Sequence, residues 1–308
     1  MRNSIRLTFQ MHRFELIAIS IFTLVLVVAS YYVAGQLDAV GYGPCATATS
    51  PSANCEVLGQ RFFSIDSSQA SPVMALIAIL PYVAGLFLGA PIVARELERG
   101  TTRLAWSLEP SRVRWYLART VPVLIFVVLL SFAAGVAADH LYQARSPGID
   151  MTNAFDGYGY RGGLIAVQAL VIAVGALGLG AVTGRVLPTV ILALIIGALG
   201  IAAVGKVHER FTQREAIYVD GEQYLAGSRY VDQFFRLPNG TLADWRQLEI
   251  IAPEAFYSET GPTYPIVNLV VPGNRYRFVE AREAAGLGGI AAIMLVGAGV
   301  IVQRRRPG

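Results

Sequence analysis

Ionisable side chains are missing from six long stretches of this chain. No Asp, Glu, Lys, Arg or His occurs in residues 16–34, 72–94, 121–138, 162–182, 186–205 or 284–302. Each stretch approaches or exceeds the length that spans a bilayer, about 20 apolar residues. Proton- and ion-coupled transporters place ionisable groups in the membrane as relays. Intramembrane enzymes need an acid, a base, a nucleophile or a metal ligand there. Neither set is present, so work done by this chain is driven from outside its membrane core. His12, His140 and His208 are scattered, and the two cysteines stand apart from them, which leaves no metal-ligand spacing. Lys206 is the only lysine among 25 basic residues, a bias expected of a GC-rich, bacterial genome. What is abundant is apolar. Of 308 residues, 54% are hydrophobic and 15% charged, which excludes a disordered or ordinary soluble chain.

Arginine sets the orientation. Arg2, Arg6 and Arg13 precede the first stretch, and six arginines lie between residues 95 and 119. Arg185 occupies the turn between the fourth and fifth stretches, and Arg304, Arg305 and Arg306 follow the last. Six spans put all of these on one side, which the positive-inside rule makes cytoplasmic. The short loops opposite hold only Arg61, Arg145 and Arg161. The first stretch is longer than a signal-peptide core of about 7–15 residues and reads as an anchor. The expected fold is an all-α polytopic membrane protein with six transmembrane helices and both termini cytoplasmic. An N-terminal interfacial helix at 1–14 and a small mixed extracytoplasmic loop domain at 206–283 complete it.

Residues 1–14 mix Arg2, Arg6, Gln10 and Arg13 with Ile5, Leu7, Phe9, Met11 and Phe14. That pattern fits a helix lying in the interface, and equally an ordinary positive tail. Residues 35–71 read as a flexible outer loop holding Cys45 and Cys55, a disulfide candidate outside the cytoplasm. Gly85 and Gly89 form a small-xxx-small step for close helix packing, and Pro81 invites a kink. Gly175, Gly178 and Gly180 opposite Gly197 and Gly200 suit a tight hairpin of the fourth and fifth spans. In 206–283, Asp220-Gly221 and Asn239-Gly240 signal hairpins, and 216–219 and 266–271 read as strands. Tyr218, Tyr224, Tyr230, Phe234, Phe235, Trp245, Phe256 and Tyr257 line a ligand surface, or else form a small core or a membrane-interface belt.

The densest charge lies at 95–119. Arg95, Arg99 and Arg103 recur at i, i+4 on one helical face, with Glu98 beside them. Gly100-Thr101-Thr102 interrupts that helix, and Ser111 is placed to cap the next. From charge alone the segment reads as a topology signal or as a docking surface. Gly200 to Lys206 approaches a nucleotide-binding loop, but Val207 stands where Ser or Thr is needed to reach magnesium. The segment also ends an apolar stretch, whereas a phosphate cradle opens a helix. The chain itself therefore binds no ATP, and nothing in it calls for nucleic acid.

With no internal energy source, a separate motor is the natural complement. The run Gly89-Ala-Pro-Ile-Val-Ala-Arg-Glu-Leu-Glu-Arg-Gly-Thr-Thr-Arg-Leu-Ala-Trp-Ser107 resembles the permease subunits of ABC transporters, in the type-2 exporter family of actinobacterial type. Trp115 entering the third span and Asn274-Arg-Tyr-Arg-Phe-Val-Glu-Ala281 entering the last fit the same pattern. The resemblance implies a single six-span permease domain over 1–308 with a cytoplasmic coupling segment at 95–119. Contact with an ATP-binding subunit maps to Glu96, Glu98, Arg99, Gly100, Thr101 and Arg103. ATP and magnesium sit on that partner, this chain is not an enzyme, and a second permease, identical or a sister, completes the unit. Lacking a charged site in its spans, it moves an apolar or amphipathic substrate. Two rival readings stand beside this one. The first is a membrane sensor or anchor whose 206–283 loop binds a ligand. The second is a membrane-bound enzyme using Asp139 and His140.

Overall fold

The computed structural model describes residues 9–48, 52–101, 111–221, 227–253 and 264–305, with backbone alone for 199–211. In chain order the helices begin with α1 (Arg13–Val40), α2 (Gly43–Ala46) and α3 (Ala53–Ile65). A π-helical turn (Asp66–Ala70) leads into α4 (Ser71–Gly89) and α5 (Pro91–Glu98). Then come α6 (Arg112–Arg145), α7 (Leu164–Thr183) and α8 (Val186–Gln213). Strands β1 (Ile217–Asp220), β2 (Arg229–Arg236) and β3 (Leu242–Ala243) follow, then α9 (Trp245–Ile251), β4 (Ile266–Val271) and α10 (Tyr276–Arg304). Two compact units result. One is helical (Met1–Gly148, Gly157–Ile201, Ala281–Gly308), and the other holds the sheet (Ile149–Asp156, Ala202–Glu280).

Among the described residues five helices are long and apolar enough to cross a membrane: Arg13–Val40, Ala53–Glu98, Arg112–Arg145, Leu164–Thr183 and Gly273–Arg304. A shorter apolar helix covers Val186–Ala198. The sequence pattern explains how they pack. In α1, Leu16, Ile19, Thr23, Leu26, Ser30, Val33 and Leu37 are buried, at alternating steps of three and four. That seam faces α6, while Phe14, Ile17, Ile21, Leu24, Val28 and Tyr32 lie exposed on the other side. A helix apolar all round has lipid or another apolar surface on its outer face. Met11 touches Arg119 at one end, and Tyr31 stacks on His140 at 4.7 Å at the other, so α1 and α6 run parallel. Gly41, at φ +71°, ends α1 in a left-handed cap.

Gly85 and Gly89 lie against α7. A Cβ on Gly85 would sit 2.7 Å from Ile172 Cγ2, and one on Gly89 would collide with the Ala173 carbonyl. Gly180 is packed against α5, where a Cβ would lie 2.9 Å from the Ala90 oxygen. Here the expected hairpin of glycines is corrected. Gly175 and Gly178 face Met294 and Ala298 of α10, Gly197 has no described residue within 4 Å, and Gly200 falls where only the backbone is described. The small residues of α7 serve α5 and α10, and the α7–α8 turn needs only Gly184 at φ +67°. The expected flexible loop at 35–71 is corrected too. Its described residues are mostly helical, as the end of α1, then α2, α3 and the π-turn. Cys45 and Cys55 are bonded there, with Cα atoms 5.5 Å apart, joining α2 to the start of α3.

In the sheet unit the strand order is β1-β4-β2-β3, all pairs antiparallel. Asn239-Gly240 does turn a hairpin, with Gly240 at φ +81° between β2 and β3. Asp220-Gly221 does not join neighbouring strands. Gly221 has the positive φ of a turn, but β1 pairs with β4, from Ile217↔Val270 to Asp220↔Val267. Turn chemistry reports the local backbone and cannot choose a partner strand far along the chain. Phe235, Leu237, Ala243, Leu248 and Ala252 form a small core. The aromatics therefore divide: Phe235 is fully buried, while Tyr218 and Tyr230 are exposed. Tyr224, Phe256 and Tyr257 lie outside the described residues.

Candidate functional site

The charged segment 95–101 is built in two layers. The inner layer belongs to α5, whose Ile92, Val93, Ala94 and Glu96 are buried. Arg95 and Glu96 are adjacent, so on a helix they point in different directions, and each meets a different neighbour. Arg95 pairs with Glu15 of α1 at 2.5 Å, and its Nη1 donates to the Met11 carbonyl at 3.4 Å. Glu96 pairs with Arg119 of α6 at 3.3 Å, with side chains only 5% and 9% exposed. Arg119 Nη1 also reaches the Met11 sulfur at 3.7 Å. Two ion pairs thus tie three helices and the segment around Met11 into one knot.

His12 is part of this knot. It sits at the break between a helical turn at 9–11 and α1, with φ −109° and ψ 15°. It is 3% exposed, and its Nδ1 is buried without a hydrogen-bond partner among the described residues. Burial lowers its pKa below the ordinary histidine value, and the guanidiniums of Arg95 and Arg119 add to that while Glu15 opposes it.

The outer layer is the tip of the segment. Arg99 N–H donates to the Arg95 carbonyl at 3.1 Å and Gly100 N–H to that of Leu97 at 3.2 Å. Gly100, at φ +69°, closes α5 as a left-handed cap, and a Cβ there would meet no other described residue within 4 Å. Thr101 Oγ1 donates to the Glu96 carbonyl at 3.3 Å. Glu98, Arg99, Gly100 and Thr101 are exposed, and Arg103 lies outside the described residues. Glu98 has an internal task as well. Its carboxylate accepts the Val186 N–H at 3.1 Å, capping the start of α8, where a negative charge is favoured. So of the residues expected at a partner's surface, Arg99, Gly100 and Thr101 are exposed, and among the described residues only Thr101 makes a side-chain bond to the rest of the chain. Glu96 is buried and paired inward, which corrects its expected place at that surface.

The same end of the helical unit carries further links. Ser111 caps α6, accepting the Arg114 N–H at 3.1 Å, as its position before the apolar run indicates. Arg112 Nη1 donates to the carbonyls of Gln303 at 3.0 Å and Arg305 at 2.8 Å, and Arg305 in turn reaches Ala181 and Val182. Arg13, Arg99, Arg114, Arg185 and Arg304 remain exposed there. At the opposite end of α6, Arg145 holds Asp66 through two bonds of 2.5 and 3.1 Å. Arg161 holds Asp139 at 2.8 Å. Two of the three arginines in the short loops at that end are therefore matched by carboxylates. Asp139 pairs with Arg161, and His140 lies against the Tyr31 ring. Residues 200–206 continue the α8 helix, without the loop that a phosphate site needs.

Sequence reasoning missed Met11, His12 and Glu15. Nothing in their spacing says that residue 15 meets residue 95. The available signal was a lone carboxylate, Glu15, next to a positive tail at the mouth of an apolar stretch. A family model described as ABC-2 membrane transporter related matches residues 16–210, which runs from α1 into α8. No curated protein and no solved structure shows significant similarity to the chain. The match covers more than half of the chain. The chain belongs to the ABC-2 membrane transporter related family, and is a multi-pass membrane permease of the ABC-transporter kind.

Proposed function

We propose that this chain is the membrane-spanning subunit of an ATP-driven exporter of the actinobacterial type. It works with a separate ATP-binding subunit that carries ATP and magnesium, and with a second permease, identical or a sister. The apolar stretches form six spans in the cytoplasmic membrane, both termini face the cytoplasm, and the sheet unit lies outside. One observation supports the docking site most: the exposed tip 99–101 stands on a helix whose next residues are pinned to α1, α6 and α8. A push on the tip reaches three helices without needing a flexible link. ATP binding closes the motor dimer and drives two such segments together, and the rigid spans change the side to which their interface opens. With no ionisable group in the apolar stretches, the substrate is apolar or amphipathic.

The test is co-expression with the ATP-binding subunit and reconstitution into lipid nanodiscs. Wild type copurifies with the motor and raises its ATPase rate. Arg99→Glu, which reverses an exposed charge, weakens both, while Arg13→Glu leaves both unchanged. Equal behaviour of the two variants overturns the docking assignment. A second reading, a membrane sensor, draws on the separate core of the sheet unit and its exposed Tyr218 and Tyr230. Purification of the wild-type chain without any ATP-binding partner under the same conditions favours it.

A further inference from the structure

His12 has no task in the docking scheme, yet it is among the few polar side chains fully withdrawn from solvent at the arginine-rich end. The charged groups acting on it are Arg95 on α5, Glu15 on α1 and Arg119 on α6, the last paired in turn with Glu96, and Met11 precedes it in the chain. The two carboxylates and two guanidiniums cancel, so the knot is neutral while the imidazole is neutral. A proton on His12 adds a cation beside Arg95 and Arg119, in a place with little water to screen it. The two carboxylates of the knot are already engaged, Glu15 with Arg95 and Glu96 with Arg119. The break in the helix at residue 12 gives the chain a joint at which to respond.

We propose that His12 is a proton-sensitive pin. Neutral, it lets the knot close. Protonated, it leaves its buried place and carries the segment around Met11 with it, loosening Arg95 and Arg119 from their shared contact. The sign follows from linkage. The buried imidazole holds fewer protons than the released one, so a fall in pH favours release. The closed knot is stable above the ordinary histidine value of 6.5. It weakens by up to about tenfold per pH unit below that, until the buried imidazole itself takes a proton. The permease would thereby sense acidification on the side of its N-terminal segment without any Asp, Glu, Lys, Arg or His in its apolar stretches.

The experiment uses the full-length chain in lipid nanodiscs and needs neither motor nor substrate. In a His140→Gln, His208→Gln background one imidazole remains, and its carbon NMR shift is followed from pH 8 to 5. Backbone hydrogen exchange of the peptide covering residues 9–16, corrected for intrinsic rate, is measured over the same range. The expected result is a midpoint below 6.5 and exchange that accelerates by up to about fivefold from pH 6.5 to 5.5. His12→Gln abolishes the acceleration. A midpoint at or above 6.5, or an acceleration that survives in His12→Gln, overturns the proposal, the latter by assigning the effect to a carboxylate. If His12→Gln fails to fold, the wild-type midpoint and the exchange curve decide alone: midpoints that coincide support the pin, and midpoints apart by a unit or more refute it.

Discussion

Removing Arg119 should cost more than any other single charge at the arginine-rich end. The reason is what remains. Glu96 has a side chain 5% exposed on a buried helical face, so its carboxylate has little access to water. Breaking a buried pair by deleting one partner typically costs about 3–5 kcal/mol, because the surviving charge is uncompensated. That is a shift of roughly two to more than three decades in the folded-to-unfolded ratio. Replacing both partners with apolar side chains is often near neutral, since both desolvation costs vanish together. The expected order is therefore Arg119→Met far below wild type, with Glu96→Met/Arg119→Met well above it. Arg114→Met, an exposed site one turn earlier, should stay within about 0.5 kcal/mol. Unfolding of the purified chain in mixed micelles of rising denaturing-detergent fraction, followed by near-UV circular dichroism, supplies the four arms of a double-mutant cycle. If Arg119→Met loses no more than Arg114→Met, or the two single losses simply add in the double variant, the pair is not a buried interaction and the knot is wrongly drawn.

Three further outcomes follow from the packing and the caps. Gly89→Leu drives a side chain into the Ala173 carbonyl and should destabilise by about 1–3 kcal/mol or more, whereas Gly197→Ala, facing open space, should be neutral in the same unfolding assay. Cys45→Ser with Cys55→Ser should lower stability by about 2–4 kcal/mol, and non-reducing peptide mapping of wild type should find the two linked; alkylatable thiols on both would contradict the bond. Gly100→Val forces a β-branched residue to a φ of +69° at a cost of about 1–2 kcal/mol confined to the tip, so motor copurification falls while Gly100→Asn, which tolerates that conformation, retains it.

The sequence was most readable where one physical rule dominates. Apolar runs of bilayer length mark the helices, Ser111 announces the start of α6, and Asn239-Gly240 announces a hairpin. Each of these is local chemistry. Gly85 and Gly89 were legible as a close-approach step, but their neighbour, Ala173, was not, because nothing in a small residue names what it touches. The α7 glycines illustrate the same gap: they serve α5 and α10 and not the adjacent helix in sequence. Residues 35–71 looked like a loop by composition, yet most of its described residues extend the flanking helices. At the site, Arg95, Glu96 and Glu98 were seen as one charged surface. Only three dimensions separate them into a pair facing α1, a pair facing α6 and a cap on α8. Glu15 lies 80 residues before Arg95, and Arg119 stands in the next helix after Glu96, separations across which spacing carries no information.

The central claim is that the tip of the 95–101 segment touches the motor. A photo-reactive amino acid placed at Arg99 tests it most directly, in the permease co-expressed with its ATP-binding subunit, with Arg61 at the opposite end of the helical unit as the control. The account predicts an irradiation-dependent adduct of permease and ATP-binding subunit from position 99 and none from position 61. A motor that copurifies in full yet forms no adduct from position 99, or that links through position 61, would contradict it.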